Sequence, residues 1–318
     1  MIEVTGITKR YENFTAVDNV SFRVEPGEIM GFLGPNAAGK TTTMRVLTGY
    51  HPPSEGTVRI AGYDILEESL EAKKRTGYLP ECLPLYNDMT VRTYLDFVAE
   101  LKGVSSRKRR SSVDAVIDRA NLEKVVGEII GKLSRGFRQR VAIAQSIVHQ
   151  PEVIVLDEPT LGLDPKQIIQ VRNLIRSLGG DHTVILSTHI LPEVSMTCNR
   201  VVIINKGRLV AEGSPAELTN RLKGSEQVFV EVGGAPSDDV LDAILTTDGV
   251  TSAWLHTKLS DDRSSFVIES ELNRDVRSDL AVTVVKNGFK LLALKGMGMS
   301  LEDIFLELTT EEKEVVES

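Results

Sequence analysis

The stretch Gly34-Pro35-Asn36-Ala37-Ala38-Gly39-Lys40-Thr41-Thr42 constrains this chain more than any other. It fits the pattern G-x-x-x-x-G-K-[ST]. An apolar run, Ile29 to Leu33, precedes it, and a segment of helical period, Thr41 to Leu47, follows. A strand, a glycine turn and a helix in that order make a phosphate cradle. Glycine lets the backbone come close to an anion, successive N–H groups point at it, and the helix N-terminus adds a favourable field. Lys40 is placed to reach the β- and γ-phosphates, and the Thr41 hydroxyl to ligate Mg²⁺.

A second anchor lies at Val153-Ile-Val-Leu-Asp157-Glu158. A continuously apolar run reads as a strand buried on both faces, and it delivers two carboxylates at its C-terminal end, where α/β sheets bind ligands. Asp157 is the expected Mg²⁺ partner through water. Glu158 is the expected general base that polarises an attacking water. The two anchors together predict a nucleoside triphosphatase.

The surrounding pattern predicts an α/β fold with a largely parallel sheet, because short apolar runs (Val153 to Leu156, Val184 to Leu186) alternate with helical segments. Ile2 to Ile7 and Val17 to Val24 read as an antiparallel pair. Val201 to Asn205 and Arg208 to Ala211 read as a hairpin across Lys206-Gly207. Thr90 to His149 is mainly helical, an insertion closed by Pro151. From about Gln227 the order strand, helix, strand, strand, helix, strand suggests a small ferredoxin-like α+β unit. A last helix is expected over Ser300 to Leu308, before the acidic end.

Charge divides the chain in the same place. The net charge is −8; the residues from Lys223 onward carry 9 basic and 19 acidic side chains, and the rest is slightly basic. An acidic last third suggests a second domain and argues against a generic nucleic-acid binder. The run Arg107 to Arg110 reads as a solvated face, and Met297-Gly298-Met299 as packing and turn. Two cysteines, Cys82 and Cys198, make no disulfide framework or metal spacing. The first residues hold no apolar core of signal-peptide length, and no aliphatic run approaches the ~20 residues that span a bilayer. The expectation is a soluble, cytoplasmic chain.

Between the anchors, Leu133-Ser134-Arg135-Gly136-Phe137-Arg138-Gln139-Arg140 resembles the signature motif of the ABC transporter ATPases. The order of the other motifs resembles that family too: Glu81 in Gly-Tyr-Leu-Pro-Glu at the Gln-loop position, Leu161-Gly-Leu-Asp164, then Ser187-Thr-His189. The resemblance covers roughly residues 1–222. It implies a P-loop NTPase fold of ABC ATPase type with an antiparallel β subdomain and a helical subdomain at about 82–150. A ferredoxin-like accessory domain at 227–310 and an acidic tail at 311–318 would complete the chain. It further implies ATP and Mg²⁺ as ligands, with Tyr11 stacking on adenine and Gly34, Pro35, Asn36, Ala37, Ala38, Gly39, Lys40, Thr41 and Thr42 holding the phosphates. Thr41, Glu81 and Asp157 would serve the metal. Glu158 and His189 would be catalytic, and Asp164 would organise a dimer seam. Ser134, Gly136 and Gln139 would contact the ATP held by a second copy, since a helix N-terminus suits an anion.

The wording GYLPE, LSRGFRQR and SLEDIFLEL is similar to bacterial exporter ATPases of the gliding-motility-associated and nitrous-oxide-reductase-maturation type. That likeness implies a homodimeric motor on a separately encoded membrane permease, at the inner face of the cell membrane, docking through Glu81 to Lys102. A non-transport ABC ATPase of translation or DNA repair, or an import ATPase with a regulatory C-terminal domain, is the alternative. The chain departs from the family pattern in three places: Ala37 for glycine, Glu81 for glutamine, and Arg135 with Phe137 within the signature. Ala37 would be strained if its backbone needs positive φ.

Overall fold

The computed structural model describes residues 1–221, 226–260, 262–271 and 274–297. The expected helix at Ser300 to Leu308, the acidic tail and most of Met297-Gly298-Met299 lie outside the described residues. The chain divides into two compact units, the first Met1–Pro215 and the second beginning at Ala216. The division falls a few residues before the break expected near Leu222.

The first unit runs β1 (Ile2–Tyr11), β2 (Phe14–Val24), β3 (Ile29–Leu33), α1 (Lys40–Leu47), β4 (Glu55–Ile60), β5 (Tyr63–Asp64), α2 (Ser69–Lys74) and β6 (Thr76–Leu79). It continues α3 (Val91–Leu101), α4 (Ser106–Arg119), α5 (Arg135–Ile147), β7 (Val153–Asp157), α6 (Pro165–Leu178), β8 (Thr183–Thr188), α7 (Leu191–Thr197), β9 (Arg200–Asn205) and β10 (Arg208–Gly213). α8 (Pro215–Arg221) follows at the division.

Two sheets form. The order β2-β1-β4-β5 is antiparallel, and β10-β9-β3-β8-β7-β6 is parallel except for the β9–β10 hairpin. The apolar faces of the two sheets share one core, with Phe22 from β2 against Phe32 from β3 at a ring separation of 5.5 Å. The all-buried runs of β3, β7 and β8 are what a parallel sheet covered on both faces requires. β4 and β6 were not legible as strands. Their alternation is weak, and pairing with β1 and β7 supplies the stability that local pattern lacks. Gly77 in β6 shows the tertiary reason for its type: a Cβ there would lie 2.1 Å from the Ser146 carbonyl oxygen of α5.

The parallel strands β3, β8, β7 and β6 are neighbours, so their C-terminal ends form one edge. The phosphate loop, His189, Asp157-Glu158 and Glu81 all follow those ends. In the helical insertion, Thr90 caps α3 by accepting from the Thr93 amide at 3.2 Å. Along the basic run in α4, Arg107, Lys108 and Arg110 are exposed, and Arg109 pairs with Glu100 at 2.9 Å.

The second unit contains β11 (Glu226–Gly233), α9 (Ser237–Leu245), β12 (Val250–Ser260), β13 (Arg263–Ser270), α10 (Arg277–Lys286) and β14 (Lys290–Met297). The sheet is antiparallel, ordered β12-β13-β11-β14. Val228, Val230, Val232, Phe266 and Ile268 pack with Val240 and Ile244 of α9 and Leu280 and Val284 of α10, a core of its own.

Candidate active site

The phosphate loop is shaped by contacts that only its sequence allows. A Cβ on Gly34 would lie 2.5 Å from the Ile204 carbonyl oxygen, and one on Gly39, at φ 105°, 2.5 Å from the Ala16 carbonyl oxygen. Ala37 takes φ 64°, a left-handed conformation that costs an L-residue roughly 1–2 kcal/mol. The strain expected of alanine in place of glycine is therefore present.

Lys40 is 6% exposed. Its Nζ donates to the carbonyl oxygens of Gly34 at 2.9 Å and Pro35 at 3.1 Å, and lies 3.5 Å from Glu158 Oε1. Glu158 in turn accepts from His189 Nδ1, 3.0 Å from Oε2 and 3.1 Å from Oε1. A carboxylate only accepts, so that nitrogen carries the hydrogen. The carboxylate is thus held between the cation of the phosphate loop and the histidine after β8. Glu158 itself sits at φ 49°, and its amide donates to Ser187 Oγ at 3.0 Å and to the Ser187 carbonyl at 3.2 Å.

Asp157 is 1% exposed. Oδ1 accepts from the hydroxyls of Ser187 and Thr41, the latter at 3.4 Å, while Oδ2 is buried without a partner among the described residues. Burial pushes its pKa up; the two hydroxyl bonds pull it down, and the nearby Glu81 and Glu158 charges add to the rise. A cation at this point would remove the burial cost, and the orphaned Oδ2 beside the Thr41 hydroxyl fits a hard divalent ion. Among the described residues no group of three or more His, Cys, Asp or Glu forms a complete metal site.

A cleft of about 490 Å³ opens on these groups, lined by Asn36, Ala37, Gly39, Lys40, Thr41, Thr42, Glu81, Glu158, Leu161 and His189, with Phe14 and Ala16 at its side. The structure therefore gathers most of the phosphate loop with Glu81, Glu158 and His189. Gly34, Pro35 and Ala38 support the loop from behind. Tyr11 does not line this cleft: it ends β1, pairs in register with Phe14, is 39% exposed and meets His51 edge-on at 6.1 Å. Phe14, 61% exposed, is the aromatic at the cleft. Phe14 precedes the strand expected from Val17, in a stretch that no sequence motif marks.

The signature residues stand outside the cleft of their own chain. Ser134 caps α5, its Oγ accepting from the Phe137 amide at 3.4 Å. A Cβ on Gly136 would lie 2.5 Å from Gln167 Cδ of α6, so a larger residue there would need the Gln167 side chain to move aside. Gln139 is 5% exposed, within the inner face of α5. Asp164 caps α6, accepting from the Gln167 amide at 2.9 Å, with Pro165 at the first helical position.

The family described as ABC transporter matches residues 17–161. The Nod factor export ATP-binding protein I of Paraburkholderia xenovorans (strain LB400) is 38% identical over 218 residues, 68% of this chain and 72% of that protein. The Burkholderia orbicola (strain AU 1054) protein of the same name is 33% identical over 98% of this chain and 97% of its own length. This chain belongs to the ATP-binding proteins of ABC transporters.

Among the family's other members, the linearmycin resistance ATP-binding protein LnrL of Bacillus subtilis (strain 168) is 30% identical over 97% of this chain and 98% of that protein. Among solved structures, an ATP-binding subunit of an ABC transporter matches at TM-score 0.63 and 28% identity, covering 71% of this chain and 95% of that one. The dimeric cassette MJ0796 matches at TM-score 0.62 and 25% identity, covering 67% of this chain and 98% of that one. The family makes this protein an ATPase of ABC transport, of the P-loop fold. No helix among the described residues is long and apolar enough to cross a membrane.

Proposed function

We propose that this protein is the ATP-driven motor of an exporter, working as a head-to-tail pair of identical cassettes on a separate membrane permease. The observation that carries the reading is the split of the catalytic parts. Glu158 is held at the mouth of the phosphate loop by Lys40 and His189, whereas the capped end of α5 at Ser134 lies off that cleft. A cleft without its own signature helix needs a second copy to supply one. The relatives named for Nod factor export and linearmycin resistance support the exporter reading.

In this reading Lys40 holds the β- and γ-phosphates of ATP, with the amides of the loop from Asn36 to Thr42. The aromatic rings of Tyr11 and Phe14 are the candidates for adenine. Thr41 and Asp157, with Glu81 beyond, hold Mg²⁺, which offsets phosphate charge when bound. Glu158 accepts a proton from water as its oxygen attacks the γ-phosphorus and the bond to the ADP oxygen breaks. His189 keeps that carboxylate aimed. Asp164 and the Ser134–Gly136 turn would face the second copy, and closure would drive the permease from the inner side of the membrane. Gln139, being buried, would support the signature turn from within.

In the same reading the second unit would be a ferredoxin-like accessory domain, which its βαββαβ order and sheet order β12-β13-β11-β14 support. It would modulate the motor and not its chemistry. The test is the mass of the purified protein in solution by light scattering, with and without MgATP, followed by copurification with a permease encoded beside it. A nucleotide-dependent dimer that travels with the permease is expected. A chain that stays monomeric with MgATP under conditions that block hydrolysis would overturn the proposal.

A further inference from the structure

Two loops carry the reacting groups. One follows β7 with Glu158 and Thr160; the other leaves β8 at its last residue, Thr188, and carries His189. At strand level they are tied through Ser187, which bonds both Asp157 and the Glu158 amide. Beyond the strand ends the Glu158–His189 contact joins them, and a further side chain bridges the two from behind it. Glu193, in the first turn of α7, is 6% exposed. Its Oε2 accepts from Thr160 Oγ1 at 2.6 Å and from Thr188 Oγ1 at 3.2 Å. Thr188 Oγ1 also accepts from the Ile190 amide at 3.0 Å, pinning the loop on the far side of His189. Oε1 of Glu193 is buried and has no partner among the described residues.

A buried carboxyl group with no ion-pair partner among the described residues is costly to keep in a fold. Burial pushes the Glu193 pKa up, and the charge of Glu158 pushes the same way. A packing role alone would be met better by an apolar side chain of the same size. The cost is local to the one place where the two loops must hold a fixed separation, since Glu158 sits at φ 49° and its carboxylate lies 3.0 Å from His189 Nδ1. A backbone held in such a conformation persists only where its surroundings over-determine it.

We propose that Glu193 is a positioning residue of the ATPase: by bridging Thr160 and Thr188 it sets the placement of Glu158 against His189. Glu193 does not line the cleft on which the phosphate loop opens. The inference rests on Glu158 and His189 being the reacting pair. A bridge that acts on chemistry alone changes kcat and leaves nucleotide affinity in place. A Gln side chain keeps a carbonyl oxygen that can accept from both threonines. A Met side chain keeps volume and accepts nothing comparable.

The experiment compares steady-state phosphate release, MgATP affinity and thermal unfolding in Glu193→Gln, Glu193→Met and Glu158→Gln. Glu193→Met is expected to lower kcat by about 10- to 100-fold with KM for MgATP within about threefold. Glu193→Gln is expected to stay within about threefold of the parent in both. If Glu193→Met does not fold, Thr160→Val with Thr188→Val removes the same bridge from the other side and carries the same expectation. Unchanged kcat in the bridge-less variants, loss of nucleotide affinity in step with turnover, or an equal loss in Glu193→Gln overturns the proposal. Glu158→Gln separates the two levels. If it keeps full turnover, the reacting pair is misassigned and the inference falls with it; if it loses turnover while Glu193→Met does not, the inference alone falls.

Discussion

Replacing Glu158 by glutamine separates nucleotide binding from hydrolysis, and the geometry gives the sign of each effect. Lys40 Nζ and Glu158 Oε1 are 3.5 Å apart, with both side chains under a tenth exposed. Two unit charges at that distance attract by roughly 5 kcal/mol at an effective dielectric constant of about 20. Removing two nearly buried ions from water takes back several kcal/mol of this. The net pairing is therefore modest, and an incoming γ-phosphate competes with the carboxylate for the same cation. Glu158→Gln ends that competition, so MgATP should bind as tightly as in the parent or up to about tenfold more tightly, ~1.4 kcal/mol. Hydrolysis loses its base and should fall about 10²- to 10⁴-fold, roughly 3–5 kcal/mol of barrier. Single-turnover phosphate release measures the second effect and equilibrium nucleotide titration the first. Near-parental turnover would move the base elsewhere, and weaker MgATP binding would refute the competition between phosphate and carboxylate.

Other outcomes follow from the same structure. Glu81 lines the cleft with its charge on the metal side, so Glu81→Gln should bind MgATP and turn over within about tenfold, ~1.4 kcal/mol; complete loss in a phosphate-release assay would make the charge essential. His149 donates from Nε2 to the Thr76 carbonyl at 3.2 Å, its Nδ1 is buried without a partner among the described residues, and burial pushes its pKa down to about 4. A depressed pKa favours the neutral ring in the folded state, so its contribution is complete above pH ~6.5 and is lost as pH falls toward about 4. Urea unfolding at pH 7.5 and pH 5 should show about 2 kcal/mol of acid loss that is absent in His149→Gln; equal acid loss in both would refute it. Gly77→Ala drives a methyl group into the Ser146 carbonyl at 2.1 Å and should lower stability by roughly 2–4 kcal/mol in the same assay, whereas a parental midpoint would mean that α5 can retreat. A chain ended after Leu222 should still bind MgATP when soluble and monodisperse, with altered hydrolysis. If it cannot bind, the second unit belongs to the site.

Much of the site was legible without coordinates because its chemistry is local in sequence. A phosphate loop needs glycines at set intervals beside a lysine, and Gly34, Gly39 and Lys40 stand at them. A strand that ends in two carboxylates announces itself, as Val153 to Glu158 does. The apolar runs of β3, β7 and β8 implied a parallel sheet, and a parallel sheet implied that their C-terminal ends share one edge. The second unit's order of elements was readable for the same reason: each element carries its own period.

What tertiary structure alone decided concerns groups whose meaning depends on distant neighbours. Phe14 carries no motif in the sequence, and the fold brings it to the cleft that Ala37 and Glu81 also line. Gln139 sits in a motif expected to face a second copy, yet the packing of α5 buries it. The left-handed backbone at Ala37 and Glu158 is fixed by the loops around them and has no signature in residue type. Glu193 looks like an ordinary acid in a short helix, and only burial against Thr160, 33 residues away, makes it a bridge. Sequence records periodicity and local hydrogen-bonding capacity, so it names the parts that act alone. Burial and long-range pairing appear only when the chain is closed on itself, and they set Asp157 against Ser187 and Thr41, Glu158 against Lys40 and His189, and Glu193 against Thr160 and Thr188.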